Sequence, residues 1–258
     1  MSNNAPIGIY DSGMGGLTIL RAVHELLPDE SLIYLGDGKN CPYGSRSREE
    51  IAALADQAVA HLVDAGCKLV VVACNTATAA AIDLLREKYA PLPIVGMEPA
   101  IKPACLETKS RVVGVLATER SLDGELFRRT AAKYGADIEV ITVAGRGFVE
   151  LVESDRESTD EAVRVVKEAI RPMLERGADR IVLGCTHYPF LRGALERAAE
   201  GTAVRFIDPS EAVARRVRQL LDEHHLAAEQ GHSATVRYDT FADETYRLRL
   251  QRKLTIRH

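Results

Sequence analysis

No stretch of this sequence approaches the roughly 18 apolar residues that a membrane-spanning helix requires, so a protein that crosses a membrane is not expected. The opening MSNNAPIGIY passes from a short polar lead straight into an apolar run, without the charged and long apolar regions of a secretory signal. Basic charge is also in short supply. With 33 Lys and Arg against 37 Asp and Glu the formal net charge is −4, which leaves no basic footprint for nucleic acid or an anionic membrane. A small-molecule substrate is expected instead. Cysteine is scarce and oddly numbered: the five, at positions 41, 67, 74, 105 and 185, form no C-x-x-C. They point to neither a disulfide framework nor a zinc ribbon, and a reducing cytoplasm suits them. The seven histidines show no H-x-x-x-H spacing, and His224 and His225 fall in a polar tail that reads as helical. No metal is expected.

What is present fits a globular enzyme. Hydrophobic residues make up 46% and charged residues 27% of 258 residues, enough to bury a sizeable core in one large α/β domain or in two compact halves. Short apolar runs at 7–10, 32–35, 69–73, 94–95, 112–116, 138–143, 181–183 and 204–207 read as parallel strands. Amphipathic segments at 16–27, 48–65, 78–89, 123–134, 158–176 and 190–199 read as the intervening helices.

The pattern also repeats. IGIYDSG at 7–13 answers VGVLATE at 113–119, LVVVACNT at 69–76 answers DRIVLGCTH at 179–187, and the Glu98-Pro99 pair answers Asp208-Pro209. Three matches in one order and at nearly one separation exceed the generic likeness of β-α-β units. The expectation is two pseudo-symmetric α/β domains with mainly parallel sheets, residues 1–98 with 209–258 and residues 99–208. Ligands of open parallel sheets bind beyond the carboxyl ends of strands, so the active site is expected in a cleft between the halves, each giving one cysteine. The two X-Pro pairs, held extended, are where the chain would cross. The tail after Pro209 is expected to pack back on the first half.

A free cysteine is most often an inert buried hydrophobe, and Cys41, Cys67 and Cys105 read that way. Cys74 and Cys185 differ. Each ends an apolar strand and opens a polar cluster, Cys74-Asn75-Thr76 and Cys185-Thr186-His187, that runs into a helix. Exposed N–H groups at a helix start favour a thiolate and can also hold a substrate carboxylate. Asp11, after the first strand, is placed to orient or accept a proton from one thiol, or equally to cap a turn. His187, two residues beyond Cys185, is placed to serve the other, or to be a satisfied structural histidine. The glycines of DSGMGGL lack the G-x-G-x-x-G spacing and no Walker lysine follows. They read as a tight strand-to-helix turn where backbone approaches a ligand.

DSGMGGLT, CPYG at 41–44, VACNTATAA and GCTHYPFL resemble the amino-acid racemases that work without pyridoxal phosphate, and among them the glutamate racemases. The likeness runs from about residue 7 to 213. It implies two-base interconversion of L- and D-glutamate with no cofactor, supplying D-glutamate for peptidoglycan in a cytoplasmic homodimer. By that resemblance Cys74 takes the α-proton of D-glutamate while Cys185 protonates the opposite face. Asp11 supports Cys74, and His187 with Glu153 supports Cys185, Glu150 being close enough in GFVELVESD to compete. Ser12, Pro42, Tyr43, Gly44, Asn75, Thr76, Thr118 and Thr186 would hold the substrate. The sequence departs from the pattern at Ser45, Arg120 and Ser121. Inversion needs two groups in opposite protonation states, one on each face, because a single base tends to return the proton to the face it came from. Two other readings stay open: an aspartate racemase or other isomerase of the same superfamily, and a non-enzymatic two-lobed ligand-binding protein.

Overall fold

The computed structural model describes residues 3–97, 100–122, 125–134 and 137–254. Glu98 and Pro99, where a crossing is expected, and Asp123, the expected start of a helix, lie outside them. The chain divides into two compact units, Met1–Met97 with Ser210–His258, and Glu98–Pro209.

The first unit runs β1 (Ile7–Asp11), α1 (Leu17–Leu26), β2 (Leu32–Gly36), α2 (Arg48–Asp64), β3 (Leu69–Val72), α3 (Asn75–Lys88) and β4 (Ile94–Gly96). The second runs α4 (Ile101–Glu107), β5 (Val112–Ala117), α5 (Glu119–Leu122), α6 (Glu125–Tyr134), β6 (Glu139–Ala144), α7 (Phe148–Glu153), α8 (Asp160–Glu175), β7 (Arg180–Gly184), α9 (Arg192–Ala198) and β8 (Arg205–Ile207). The chain then returns to the first unit with α10 (Ser210–Glu223), β9 (Val236–Thr240) and α11 (Glu244–Lys253).

Every strand pairing is parallel. The first sheet has the order β4-β3-β1-β2-β9 and the second β6-β5-β7-β8. Read from the opposite edge, the second is β8-β7-β5-β6, the same winding as β4-β3-β1-β2, so the repeat in the sequence is a repeat of topology. In both sheets the first strand connects one way and its third-strand neighbour the other. This places a topological switch point, where α/β folds bind ligands, at the carboxyl ends of β1 and β3 and again at those of β5 and β7.

Burial explains why the strands read as continuous apolar runs. β1, β2, β3 and β7 are buried along their whole length, as parallel strands covered on both faces must be. Tyr10, Ile33, Leu35, Val70 and Val72 pack against α2 and α3 through Ile51, Ala55, Val59, Leu62, Ala77, Ala81 and Leu85. α1 and α10 pack on each other. In the second unit Val113, Val115, Ala117 and Val182 pack under α4. Each buried Val, Leu or Ile among these contributes about 1.5–3 kcal/mol, whereas an exposed pair such as Arg146–Glu119 contributes at most about 1 kcal/mol. Within each unit the buried sheet, not surface charge, supplies most of the stability.

The tail after Pro209 belongs to the first unit, but its content departs from expectation. β9 adds a fifth strand beside β2. VRYDT is polar at three of its five positions and of the five only Tyr238 is buried, so hydropathy alone does not reveal it. α11 buries only Leu250 and is hidden for the same reason. His224 and His225 are not helical: α10 stops at Glu223, and His225 turns back with φ 55°. α3 starts at Asn75 rather than Thr78, and the segment expected as one helix at 190–199 opens with a 3-10 turn, Tyr188–Leu191, before α9.

At the amino ends of the first sheet's strands Lys68, fully buried, pairs with Glu30 at 2.6 Å and also donates to the carbonyl of Asn3. The other Glu30 oxygen accepts from the Ala228 amide at 2.7 Å, tying down the segment that leads to β9. Removing one partner of a buried pair strands the other charge. Glu30→Ala is therefore expected to lower stability by about 3–5 kcal/mol, read as a shift of the urea unfolding midpoint; a shift within error would show that the pair is not structural.

Candidate active site

Asp11 is the last residue of β1 and is wholly buried. Its Oδ2 accepts from the Gly13 amide at 3.0 Å, bending the chain back at once. Tyr34 on β2 donates its hydroxyl to the Gly13 carbonyl at 2.7 Å. The loop then closes so tightly on β1 that a Cβ at Gly16 would lie 2.7 Å from Asp11 Cβ and 3.1 Å from Tyr34 Oη. That is the close approach the glycines of DSGMGG supply. Their other service is to start α1, where the Gly16 carbonyl accepts from both Ile19 and Leu20 amides at 3.0 Å.

Cys74 lies beyond β3, across the switch point from this loop. Its backbone is extended (φ −72°, ψ 117°) and it is the N-cap of α3, with Sγ accepting from the Ala77 amide at 3.4 Å. Sulfur here takes the place of the hydroxyl or carboxylate that ordinarily satisfies an orphan N–H. Sγ also stands 3.5 Å from Ser12 Oγ. Asn75 and Thr76 fill the first turn, both buried. Asn75 Oδ1 meets no hydrogen-bond donor among the described residues, an acceptor ready for a cationic N–H group.

The second unit solves the same strand-end problem differently. The residue four after Cys185 is Pro189, which has no N–H. The Cys185 carbonyl accepts instead from Tyr188, three residues on, at 3.1 Å, and the chain winds as a 3-10 turn. The partner of Cys185 is His187: Sγ lies 3.9 Å from Nδ1, while Nε2 lies 2.7 Å from Glu153 Oε1. His187 is 1% exposed. A carboxylate on Nε2 holds a proton there, turning Nδ1 towards the thiol as acceptor, or as donor when the ring is charged. The carboxylate that reaches this ring is that of Glu153, the last residue of α7. Burial first, then the neighbouring Cys185 and Glu150, push the Tyr188 phenol well up. Thr186 is buried on the turn. Thr118, half-buried beyond β5, accepts from the Ser121 amide at 3.2 Å and has its hydroxyl 2.8 Å from that of Ser121, so Ser121 completes a capping turn.

Of the CPYG loop, Pro42 is exposed, Gly44 half-buried and Tyr43 buried. The Tyr43 hydroxyl donates to Asp37 Oδ2 at 2.6 Å and accepts from Tyr10 at 2.8 Å. Asn40 donates to both Asp37 oxygens at 3.0 Å, and the Asp37 amide donates to the Asp11 carbonyl at 2.9 Å. Asp37 is thus a buried hub that ties the loop to β1, and Tyr43 meets its neighbours through its phenol. Asp37 and Tyr34 are not among the residues the sequence singles out. Asp37 carries the same signal as Cys74, a polar residue just past an apolar strand; Tyr34 sits inside its strand and carries none.

The sequence profile of the Asp/Glu/hydantoin racemase family matches residues 17–217. A glutamate racemase of Herpetosiphon aurantiacus is 45% identical over 251 residues, 97% of this chain and 98% of that one. A crystal structure of a glutamate racemase isoform from Bacillus anthracis superposes with a TM-score of 0.87 at 30% identity, covering 97% of this chain and 94% of that one. The Escherichia coli glutamate racemase in complex with L-glutamate and the activator UDP-MurNAc-Ala superposes with a TM-score of 0.85 at 31% identity, covering 96% and 94%.

The remaining cysteines differ in environment. Burial pushes the Cys67 thiol up to about 12, and burial raises that of Cys105 as well. At pH 8 a group titrating near 12 is about 10⁻⁴ thiolate. Iodoacetamide added to the folded protein at that pH is expected to leave Cys67 unmodified in peptide mass spectra, with labelling rising only as the pH climbs towards 12. Prompt labelling at pH 8 would refute the assignment.

Proposed function

Since the chain belongs to the Asp/Glu/hydantoin racemase family, we propose that it interconverts L- and D-glutamate through Cys74 and Cys185, with no cofactor. The observation that carries the reading is that each unit ends its third strand in a cysteine at a switch point, each thiol with its own partners. With D-glutamate the Cys74 thiolate removes the α-proton and the Cys185 thiol donates its proton to the opposite face. With L-glutamate the roles reverse, and each turnover leaves the two sulfurs with their protonation states exchanged. A pair of thiols suits this, because one kind of side chain serves as the acid in its thiol form and as the base in its thiolate form.

The two supports differ in kind. Cys74 leans on the α3 N–H groups, Ser12 and the adjacent Asp11. Cys185 leans on His187, held by Glu153, which stabilises the thiolate when the ring is charged and accepts from the thiol when it is neutral. Ser12, Asn75, Thr76, Thr118, Thr186 and the Pro42-Tyr43-Gly44 loop hold the substrate. Asn75 Oδ1 accepts from the α-ammonium, and the N–H groups at the strand ends receive a carboxylate. Placed donors in a water-poor site stabilise the carbanion-like transition state. Asp37, Asn40 and Tyr10 keep the loop in shape without touching substrate. The product serves peptidoglycan synthesis in the cytoplasm, and the working form is a homodimer. Among the described residues no helix is long and apolar enough to cross a membrane.

Incubation with L-glutamate in deuterium oxide, with no added cofactor, is expected to yield D-glutamate carrying deuterium at the α-carbon, with aspartate turned over far more slowly. Glutamate that binds but neither exchanges nor inverts would remove the proposal, and faster turnover of aspartate would move it to that substrate. Cys74→Ser and Cys185→Ser should each cut kcat by about 10²–10⁴-fold, and a single variant of full activity would contradict the two-base scheme.

A further inference from the structure

One buried hydroxyl stands where the first sheet opens beside Cys74. β3 and β4 pair in the register Val70↔Ile94, Val71↔Val95 and Val72↔Gly96, and the Val70 amide donates to the Pro93 carbonyl at 3.1 Å. Parallel ladders alternate, with donation passing from one strand to the other in even steps. Continued past Val72 and Gly96, that alternation calls for a bond from the Met97 amide to the Val72 carbonyl. Thr78 takes its place. The Met97 amide donates to Thr78 Oγ1 at 3.0 Å, and Thr78 Oγ1 donates to the Val72 carbonyl at 3.1 Å. A single side-chain hydroxyl is threaded into the ladder between the two strand ends.

Thr78 is also the fourth residue after Cys74, and its amide donates to the Cys74 carbonyl at 2.9 Å. Its methyl group fills the space over Gly96, where a Cβ would come within 2.8 Å of it. Within one helical turn it therefore fixes the carbonyl of the thiol-bearing residue, the carbonyl two residues earlier, and the end of β4. The matching residue in the second unit is Pro189, which has neither hydroxyl nor N–H.

We propose that Thr78 is a positioning residue for Cys74, its inserted hydroxyl splaying β3 from β4 and thereby setting the aim of the sulfur at the start of α3. The kinetic meaning of this rests on the racemase reading, so the test includes a measurement that needs no substrate. Wild type, Thr78→Val and Thr78→Ser are treated with iodoacetamide in the folded state, and labelling of Cys74 and Cys185 is followed side by side by peptide mass spectrometry. Valine keeps the shape and deletes the hydroxyl, leaving the Val72 carbonyl and Met97 amide without their bridge. It is expected to change the Cys74 rate by at least about fivefold, with the Cys185 rate held within about twofold. Racemisation by Thr78→Val should show kcat lowered about tenfold or more with KM little altered. Thr78→Ser, which retains the hydroxyl, must match wild type in both measurements. An unchanged Cys74 rate in Thr78→Val overturns the proposal, as does a parallel change at both cysteines, which would mark general loosening. Altered Cys74 labelling in Thr78→Ser overturns it too, and decides the matter if Thr78→Val does not fold. A selective Cys74 change in a protein that does not racemise glutamate would remove the functional reading and leave the positioning role standing.

Discussion

Backbone groups left without strand partners where the first sheet ends, at Gly13 and in the first turn of α3, set the surroundings of Cys74. A parallel sheet ends in a row of such groups, and a helix that follows adds unpaired N–H groups of its own. In the first unit those groups are met by sulfur on the Ala77 amide, by the Asp11 carboxylate on the Gly13 amide, and by the Tyr34 hydroxyl on the Gly13 carbonyl. Each satisfies a structural need and leaves a reactive or polar atom at the switch point.

The units share a winding, yet their thiols stand in different surroundings, and one residue accounts for much of the difference. Thr78 donates its amide to Cys74 and permits an α-helical first turn; Pro189 has no amide to give, so the chain after Cys185 tightens into a 3-10 turn and presents His187. One thiol lies against a helix N–H group and the other beside an imidazole held by a carboxylate. A racemase acts on two enantiomers whose remaining groups are not mirror-placed about the protein, so unequal halves do not conflict with equal chemistry.

Much of this is legible in the sequence because the strands are buried on both faces and so read as unbroken apolar runs. Cys74, Cys185, Asp11 and His187 stand out as polar residues at the ends of such runs. Asp37 offers the same signal in GDGKN. Tyr34 does not, since its hydroxyl acts from within a strand on a loop nearby in space but not in sequence. Thr78 reads as an ordinary helix residue, because its role depends on the register of β3 against β4. β9 and α11 escape notice since an edge strand and an exposed helix bury too little for hydropathy to register. The choice of Glu153 over Glu150 as the His187 partner depends on where a short helix ends, which spacing alone does not fix.

The position of β9 has a consequence for how the chain is assembled. It pairs with β2 across roughly two hundred residues of sequence, and the whole of the second unit, residues 98–209, is contained between them. During synthesis that inner unit leaves the ribosome entire while its host still lacks an edge. Domains tend to fold as units in the order they emerge, so the inserted half can reach its native state first, and the host waits on the segment that carries β9 with the flank of β2 exposed.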